Sequence, residues 1–223
     1  MKIGIEEAAR ERRYEFLKSI REKYKARFIL TAHHLDDSIE TVVFNFIRGT
    51  KLTGLMGIPE QNGFILRPLI STAKSEILDM LTNHDITYCL DSSNDDKKYL
   101  RNRIRTQILP EFSAINPEYR RNLRSFMDYA GELEDFIDTQ VRAFLQDQDQ
   151  FGVEAFQALS LFLQREIIRF LYERANHGTI GLSEGNIAEV IRFIGDKGNK
   201  TKKQLRNMEL FKDNGVIYYQ SLQ

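Results

Sequence analysis

The chain has 223 residues, 42% of them hydrophobic and 29% charged, and its 32 Lys+Arg are balanced by 32 Asp+Glu. Such a composition supplies a core for one or two domains and excludes disordered, collagen-like and coiled-coil classes. No apolar run approaches the roughly 18 residues that a membrane span needs. Met1 to Arg13 lacks a signal-peptide core, and the single cysteine, Cys89, excludes an internal disulfide framework and a cysteine-rich zinc site. A cytoplasmic protein is the expectation, with Cys89 buried in a strand.

Neutrality argues against a polyanionic partner only on average, because nucleic-acid binding is dominated by Lys and Arg contacts to phosphate. From Lys97 to Arg124 eight basic residues face two acidic ones, and from Asp128 to Asp149 seven acidic residues face Arg142 alone. The two blocks cancel in the sum and not in space.

In chain order, Ala9, Phe16, Leu17, Ile20 and Tyr24 recur at helical spacing and predict an amphipathic helix from Glu6 to Tyr24. Phe28 to Ala32 is a short continuous apolar run, which reads as a buried parallel strand. Asp36 or Asp37 then caps a helix with Ile39, Val42, Val43, Phe46 and Ile47 on its core face, and Gly49 ends it. A loop with Gly54, Gly57 and Pro59 leads to a second strand at Phe64 to Leu66, a helix from Thr72 to Asn83, and a third strand from Thr87 to Leu90. Strands alternating with helices predict an α/β domain with a mainly parallel sheet. Such sheets bind ligands beyond the carboxyl ends of their strands, here after Ala32, Leu66 and Leu90.

From Asn94 the pattern turns helical. One helix near Tyr99 to Leu109 stops at Pro110, and Asn116-Pro117 opens a long one. The core stripe of the long helix is Leu123, Phe126, Met127, Ala130, Leu133, Ile137, Val141, Phe144 and Leu145. Helices at Leu161 to Ala175 and Glu184 to Ile194 precede a hairpin, Glu209 to Phe211 and Val216 to Tyr219, that turns at Asp213-Asn214-Gly215. The expected organisation is an α/β part over 1–115, a helical linker over 116–148 and a small helical α+β domain over 149–223, with the Gln/Asp-rich Gln146 to Gln150 near the last boundary.

The densest chemistry is His33-His34-Leu35-Asp36-Asp37-Ser38-Ile39-Glu40-Thr41, after the first strand and at a helix start, where free N–H groups and the helix dipole favour phosphate. The same residues fit a plain helix start, with Asp36 or Asp37 as cap, Glu40 completing a capping box and one histidine packed on the sheet. They also fit a divalent-metal site of His and Asp. Arg67-Pro68-Leu69 lies beyond the second strand, where an arginine fork holds phosphate or a surface arginine precedes a turn. Asp91-Ser92-Ser93-Asn94-Asp95 lies beyond the third, as a ligand-orienting group or an Asx turn. Tyr99-Leu100-Arg101-Asn102-Arg103-Ile104-Arg105 alone reads as a solvated basic face. Together with Arg120, Arg121 and Arg124 it has the charge density of an RNA-phosphate contact. Lys197, Lys200, Lys202, Lys203, Arg206 and Lys212 form a weaker second block.

The order of these motifs is more specific than any one of them. Glu6-Glu7-Ala8-Ala9-Arg10-Glu11-Arg12-Arg13-Tyr14, Thr31 to Thr41, Arg48-Gly49-Thr50 with Gly54-Leu55, Arg67-Pro68-Leu69, Asp91 to Asn94 and Tyr99 to Arg105 together resemble the tRNA(Ile)-lysidine synthetases. The likeness is close over residues 5–117 and extends over 118–223 only as a general pattern of helices and a closing hairpin.

The resemblance implies a parallel-sheet ATP-pyrophosphatase fold, adenine nucleotide alpha hydrolase-like, followed by a helical region and a small α+β C-terminal domain. It implies a ligase that uses ATP and Mg²⁺ to adenylate the C2 oxygen of the wobble cytidine in isoleucine tRNA, after which L-lysine displaces AMP. Carried over by motif, Arg10, His33 and Arg67 meet the ATP phosphates, and Asp37, with His33 and Arg67, serves the reaction centre. Asp36, Glu40, Arg48, Gly49, Gly54, Asn94, Arg101, Asn102, Arg103 and Arg105 meet lysine and the anticodon loop, and no metal ligand is assigned.

The family's ATP loop, Ser-Gly-Gly-x-Asp-Ser, is expected well upstream of Arg10, and these residues contain no two adjacent glycines. The expectation is therefore a partial enzyme, inactive until an N-terminal segment or a complementing chain supplies the loop. The alternatives are a non-catalytic tRNA-binding module and a His/Asp metal phosphoesterase centred on His33, Asp37 and Asp91.

Overall fold

A computed structural model of the chain describes residues 5–89 and 100–222, and the chain divides into two compact units, Met1–Glu132 and Leu133–Gln223. In the first unit, helix α1 (Ile5–Lys23) leads to strand β1 (Ile29–Leu30) and helix α2 (Leu35–Arg48). Helix α3 (Leu52–Leu55), strands β2 (Gln61–Asn62) and β3 (Ile65–Leu66), and helix α4 (Lys74–Asn83) follow. The strand order is β1-β3-β2, with β1 parallel to β3 in the register Ile29↔Ile65 and Leu30↔Leu66. β2 is antiparallel to β3, an addition to the parallel pair, because a two-residue loop with Gly63 at φ +58° folds one strand directly onto the other.

Two expectations fail here. Thr87–Cys89 form no strand and are exposed, so Cys89 is exposed rather than buried, while Leu90 lies outside the described residues. β3 already has a neighbour on each edge and so offers this segment no free backbone to pair with. The core face of α2 is also shorter than its apolar pattern. Leu35, Ile39, Val42 and Val43 pack with Ile104, Leu109, Tyr119 and Met127, whereas Phe46 and Ile47, a turn beyond these partners, are 71% and 53% exposed. Leu30, on an edge strand, is exposed as well.

The next helical stretch runs through the proline that was expected to end it. Helix α5 (Leu100–Arg103), a π-helical turn (Ile104–Ile108) and helix α6 (Leu109–Ile115) are continuous. In the π turn the Leu109 N–H reaches back to the Ile104 carbonyl, and Pro110 then falls in the first turn of α6, where no N–H is required. Helix α7 (Tyr119–Leu145) follows an Asx turn in which Asn116 Oδ1 accepts the Glu118 N–H at 3.0 Å.

The second unit contains β4 (Gln150–Gly152), α8 (Val153–Gln157), α9 (Leu161–Asn176), α10 (Glu184–Gly195), β5 (Thr201–Leu205), β6 (Met208–Asp213) and β7 (Val216–Ser221). Its antiparallel sheet has the order β4-β7-β6-β5, and the expected hairpin turns at Asn214 and Gly215, with φ of +47° and +78°. Ile167, Ile168, Leu171, Ile187, Val190 and Ile194 close over Met208, Leu210 and Ile217 to form the core. Lys212, grouped by charge with the C-terminal basic block, is not a surface contact. It is buried, and its Nζ donates to the Ile194 carbonyl at 2.8 Å and to the Asp196 carbonyl, satisfying the end of α10.

In the first unit the loop after α3 is pinned to α2. Buried Ser38 Oγ accepts the Ile58 N–H at 2.8 Å, and Asn45 Nδ2 donates to the Gly54 carbonyl at 2.9 Å. Gly57 sits at φ +77°, and a Cβ there would lie 2.3 Å from Ser38 Oγ and 2.5 Å from Met127 Cε. Gly57→Ala is therefore expected to destabilise this unit by about 2–3 kcal/mol through backbone strain and overpacking. A lower urea midpoint and faster amide exchange across α2 are the readouts, and an unchanged midpoint would show that the loop adapts.

Candidate active site

The first turn of α2 gathers the polar cluster. His34 is its cap residue, with extended φ −127° and ψ 177°, and Asp37 Oδ2 accepts the His34 N–H at 3.0 Å. Asp37, not Glu40, therefore closes the capping box, because the third helical position is the one within reach of the cap N–H. Asp36 turns sideways, and its carboxylate accepts Arg120 Nε at 2.8 Å and the Lys74 backbone N–H at 2.8 Å. Burial pushes the Asp36 carboxyl up, but these two donors outweigh it and hold it below the usual carboxylate range.

Glu40, one turn further on, is 5% exposed and bound by both sides of the Arg105 guanidinium, Nε at 2.6 Å and Nη2 at 2.9 Å. The same Nη2 lies 3.5 Å from Asp37 Oδ1. The π turn carries Arg105, so the irregular stretch of helix aims this guanidinium at α2. The Glu40 hydrogen bonds raise the Arg105 guanidinium further above its already high range. Asp36, Glu40 and Arg105 line one small cavity of about 190 Å³ together with Tyr119 and Arg120.

His33 and Arg67 come from adjacent parallel strands. His33 follows β1, with its Nδ1 2.9 Å from Thr31 Oγ1. Arg67 directly follows β3, is 4% exposed, and donates from Nη1 to the Pro59 carbonyl at 2.7 Å, while its buried Nε has no hydrogen-bond partner. Burial lowers the His33 pKa; Asp37 opposes this, and Arg67, Arg10 and Arg13 reinforce it. The charges of Asp37, Arg67, Arg10 and Arg13 thus all act on this one histidine.

The remaining expected residues are dispersed. Gly49 ends α2 at φ +80°, and Gly54 has a packing reason of its own, since a Cβ there would lie 1.9 Å from Thr50 Oγ1. Arg48 and Arg101 line a second, larger groove with Arg10 and Arg13. Asn102 is half-buried and Arg103 exposed on α5, while Asn94 and Asp91 lie outside the described residues. Sequence reasoning missed the roles of Lys74, whose backbone is the donor, of Arg120 as the Asp36 partner, and of Arg13 as a charge that acts on His33. A backbone donor leaves no residue-type signal, and Arg120 was legible only as charge.

Among the described residues no three His, Cys, Asp or Glu side chains converge as metal ligands. Asp36, Asp37 and Glu40 each accept hydrogen bonds from N–H donors, and Asp91, the third residue of the metal phosphoesterase reading, lies outside the described residues. No helix among the described residues is long and apolar enough to cross a membrane.

Residues 1–112 match the family described as PP-loop domain. The chain belongs to this family. The tRNA(Ile)-lysidine synthase of Thermosipho africanus is 39% identical over 156 residues, covering 70% of this chain and 34% of that protein. That of Bacteroides thetaiotaomicron is 45% identical over 122 residues, 55% of this chain and 29% of the relative, and that of Bacillus cereus is 33% identical over 210 residues, 86% and 43%. The chain spans less than half the length of these curated relatives. The parallel strand pair belongs to the PP-loop domain, and the small antiparallel sheet lies C-terminal to it.

Two outcomes follow for the PP-loop domain. Arg105→Met leaves the Glu40 carboxylate buried without its partner and is expected to cost about 2–3 kcal/mol, discounted for the partial exposure of the arginine. The double variant with Glu40→Gln recovers most of that loss in urea titrations, and additive losses would disprove the pairing. His33, followed by NMR, is expected to titrate below its ordinary range. Its midpoint rises in Arg10→Gln/Arg13→Gln and falls further in Asp37→Asn. Because the folded state binds this proton less readily than the unfolded chain, His33 favours folding above the unfolded value, and that contribution is lost as pH falls through the window beneath it.

Proposed function

We propose that this chain is part of a cytoplasmic tRNA(Ile)-lysidine synthase, supplying the reaction centre beside an ATP loop contributed by polypeptide outside these 223 residues. The observation that carries this reading is the parallel pairing of β1 with β3, which delivers His33 and Arg67 to one end of the sheet. That end is where α/β sheets bind nucleotides. Relatives named tRNA(Ile)-lysidine synthase and the PP-loop match support this reading.

In this reading the cytidine C2 oxygen attacks the α-phosphorus of ATP and pyrophosphate leaves. The lysine amine then attacks C2, and AMP leaves with the oxygen. Arg67, buried and with Nε unpartnered, offers a fixed cation and a spare N–H to the α-phosphate as charge builds there. Burial, reinforced by the nearby arginines, disfavours the charged form of His33, and its part in this reading is to hydrogen-bond to the phosphates. Asp37 keeps one oxygen on the His34 N–H, which fixes the carboxylate where its other oxygen orients the lysine amine.

Joined to the loop-bearing N-terminal segment of a relative, the chain is expected to release AMP and pyrophosphate and to incorporate labelled lysine into isoleucine tRNA. Asp37→Asn retains the helix cap and is expected to lower incorporation at least about 100-fold with only a small loss of melting temperature. A complemented protein that binds the tRNA but never consumes ATP would refute the proposal.

A further inference from the structure

The imidazole ring of His34 belongs to the polar cluster but has no part in the chemistry above. His34 caps α2, a position where serine, threonine, aspartate or asparagine offers an oxygen to the first N–H groups of the helix, yet its ring makes no capping hydrogen bond. The side chain is 17% exposed, and its buried Nδ1 has no hydrogen-bond partner among the described residues. Histidine is a poor choice for a cap, and an open polar atom at a buried position is a further cost. The ring therefore has a use other than ending the helix.

That use is legible in what Nδ1 faces. Asp37 Oδ2 is 3.5 Å away and Asp36 Oδ2 is 3.9 Å away, and these are the same two oxygens that accept the His34 and Lys74 backbone N–H groups. A bare nitrogen lone pair at this place would be repelled by both carboxylates, whereas an N–H is attracted by both. Of the carboxylates here, Asp36 is bound by Arg120 at 2.8 Å and Glu40 by Arg105 at 2.6 Å. Arg105 stands 3.5 Å from Asp37 Oδ1, so Asp37 is the one that gains most from the histidine.

We propose that His34 is a positioning residue of the reaction centre: its backbone N–H and an Nδ1–H of its ring together hold Oδ2 of Asp37, which keeps Oδ1 turned to the lysine amine. The proposal rests on the reading in which Asp37 orients that amine, and adds to it the group that orients Asp37. His34 acts only through Asp37 and touches no reacting atom. Its loss therefore falls on the lysine step, after pyrophosphate has left.

The test has a spectroscopic part and a kinetic part. In the 223-residue chain, ¹⁵N NMR of the neutral His34 ring is expected to show the Nδ1–H tautomer. In the chain joined to the loop-bearing segment, His34→Ser provides the better helix cap but no N–H at the Nδ1 position. It is expected to melt no lower than the parent and still to release pyrophosphate, while lysine incorporation falls about tenfold or more through misplacement of Asp37. His34→Asn sets an amide nitrogen near the Nδ1 position and is expected to restore incorporation to within about threefold of the parent.

A residue that served the helix alone would give the opposite pattern, since serine would then keep full incorporation. Full incorporation in His34→Ser, or an Nε2–H tautomer in the parent chain, overturns the proposal and leaves the lysine reading standing. A joined parent chain that consumes ATP but never incorporates lysine overturns the reading on which the proposal rests, and the proposal with it.

Discussion

A buried carboxylate at Glu40 governs how the first unit is assembled. With 5% of its surface exposed, it is tolerated only because Arg105 meets it with two N–H groups. That requirement fixes the rotation of the π turn against α2, and through Arg105 it also touches Asp37, which caps the same helix. Asp36 and Arg120 repeat the device from α7. Helices α2, α5 and α7 are therefore held around an apolar core of Ile39, Val42, Ile104 and Met127 by two ion pairs that also set the orientation of the aspartates nearest His33.

The cationic residues are consequently not one surface. Some are structural counter-ions, some face an open groove, and Lys212 in the second unit serves as a helix terminator. Charge counts along the chain merge these roles. The zero net charge is compatible with a polyanionic ligand because the arginines of the groove are not the ones compensated by Glu40 and Asp36.

Where local chemistry dictates the outcome, the sequence was legible. Gly49 at the end of α2, the Asn214-Gly215 turn, the apolar stripes of α9 and α10, and the parallel pairing of two short strands were all readable from spacing and residue type. Features that depend on distant partners were not. β4 and β5 are polar strands recruited by β7 and β6, with no alternation strong enough to announce them. Pro110 ended the helix by rule, yet a shifted hydrogen bond upstream removed the reason for it to do so. Of the candidate site, His33, Asp37 and Arg67 were visible as motifs at strand ends, whereas the assignment of Arg105 to Glu40 spans 65 residues of sequence and carries no local mark.

The π turn also constrains what the chain tolerates by insertion and deletion. A π turn accommodates one residue more than the α-helical repeat, and each residue of a helix turns the next by about 100°. Removing a single residue between Ile104 and Ile108 would restore a regular helix with its two flanks nearly in phase. Leu109 and Phe112 would keep their place in the core, and the loss would fall inside the turn, where Arg105 would leave the position from which it meets Glu40. Substitutions in this segment can be judged one side chain at a time, but its length is set by the placement of that one guanidinium.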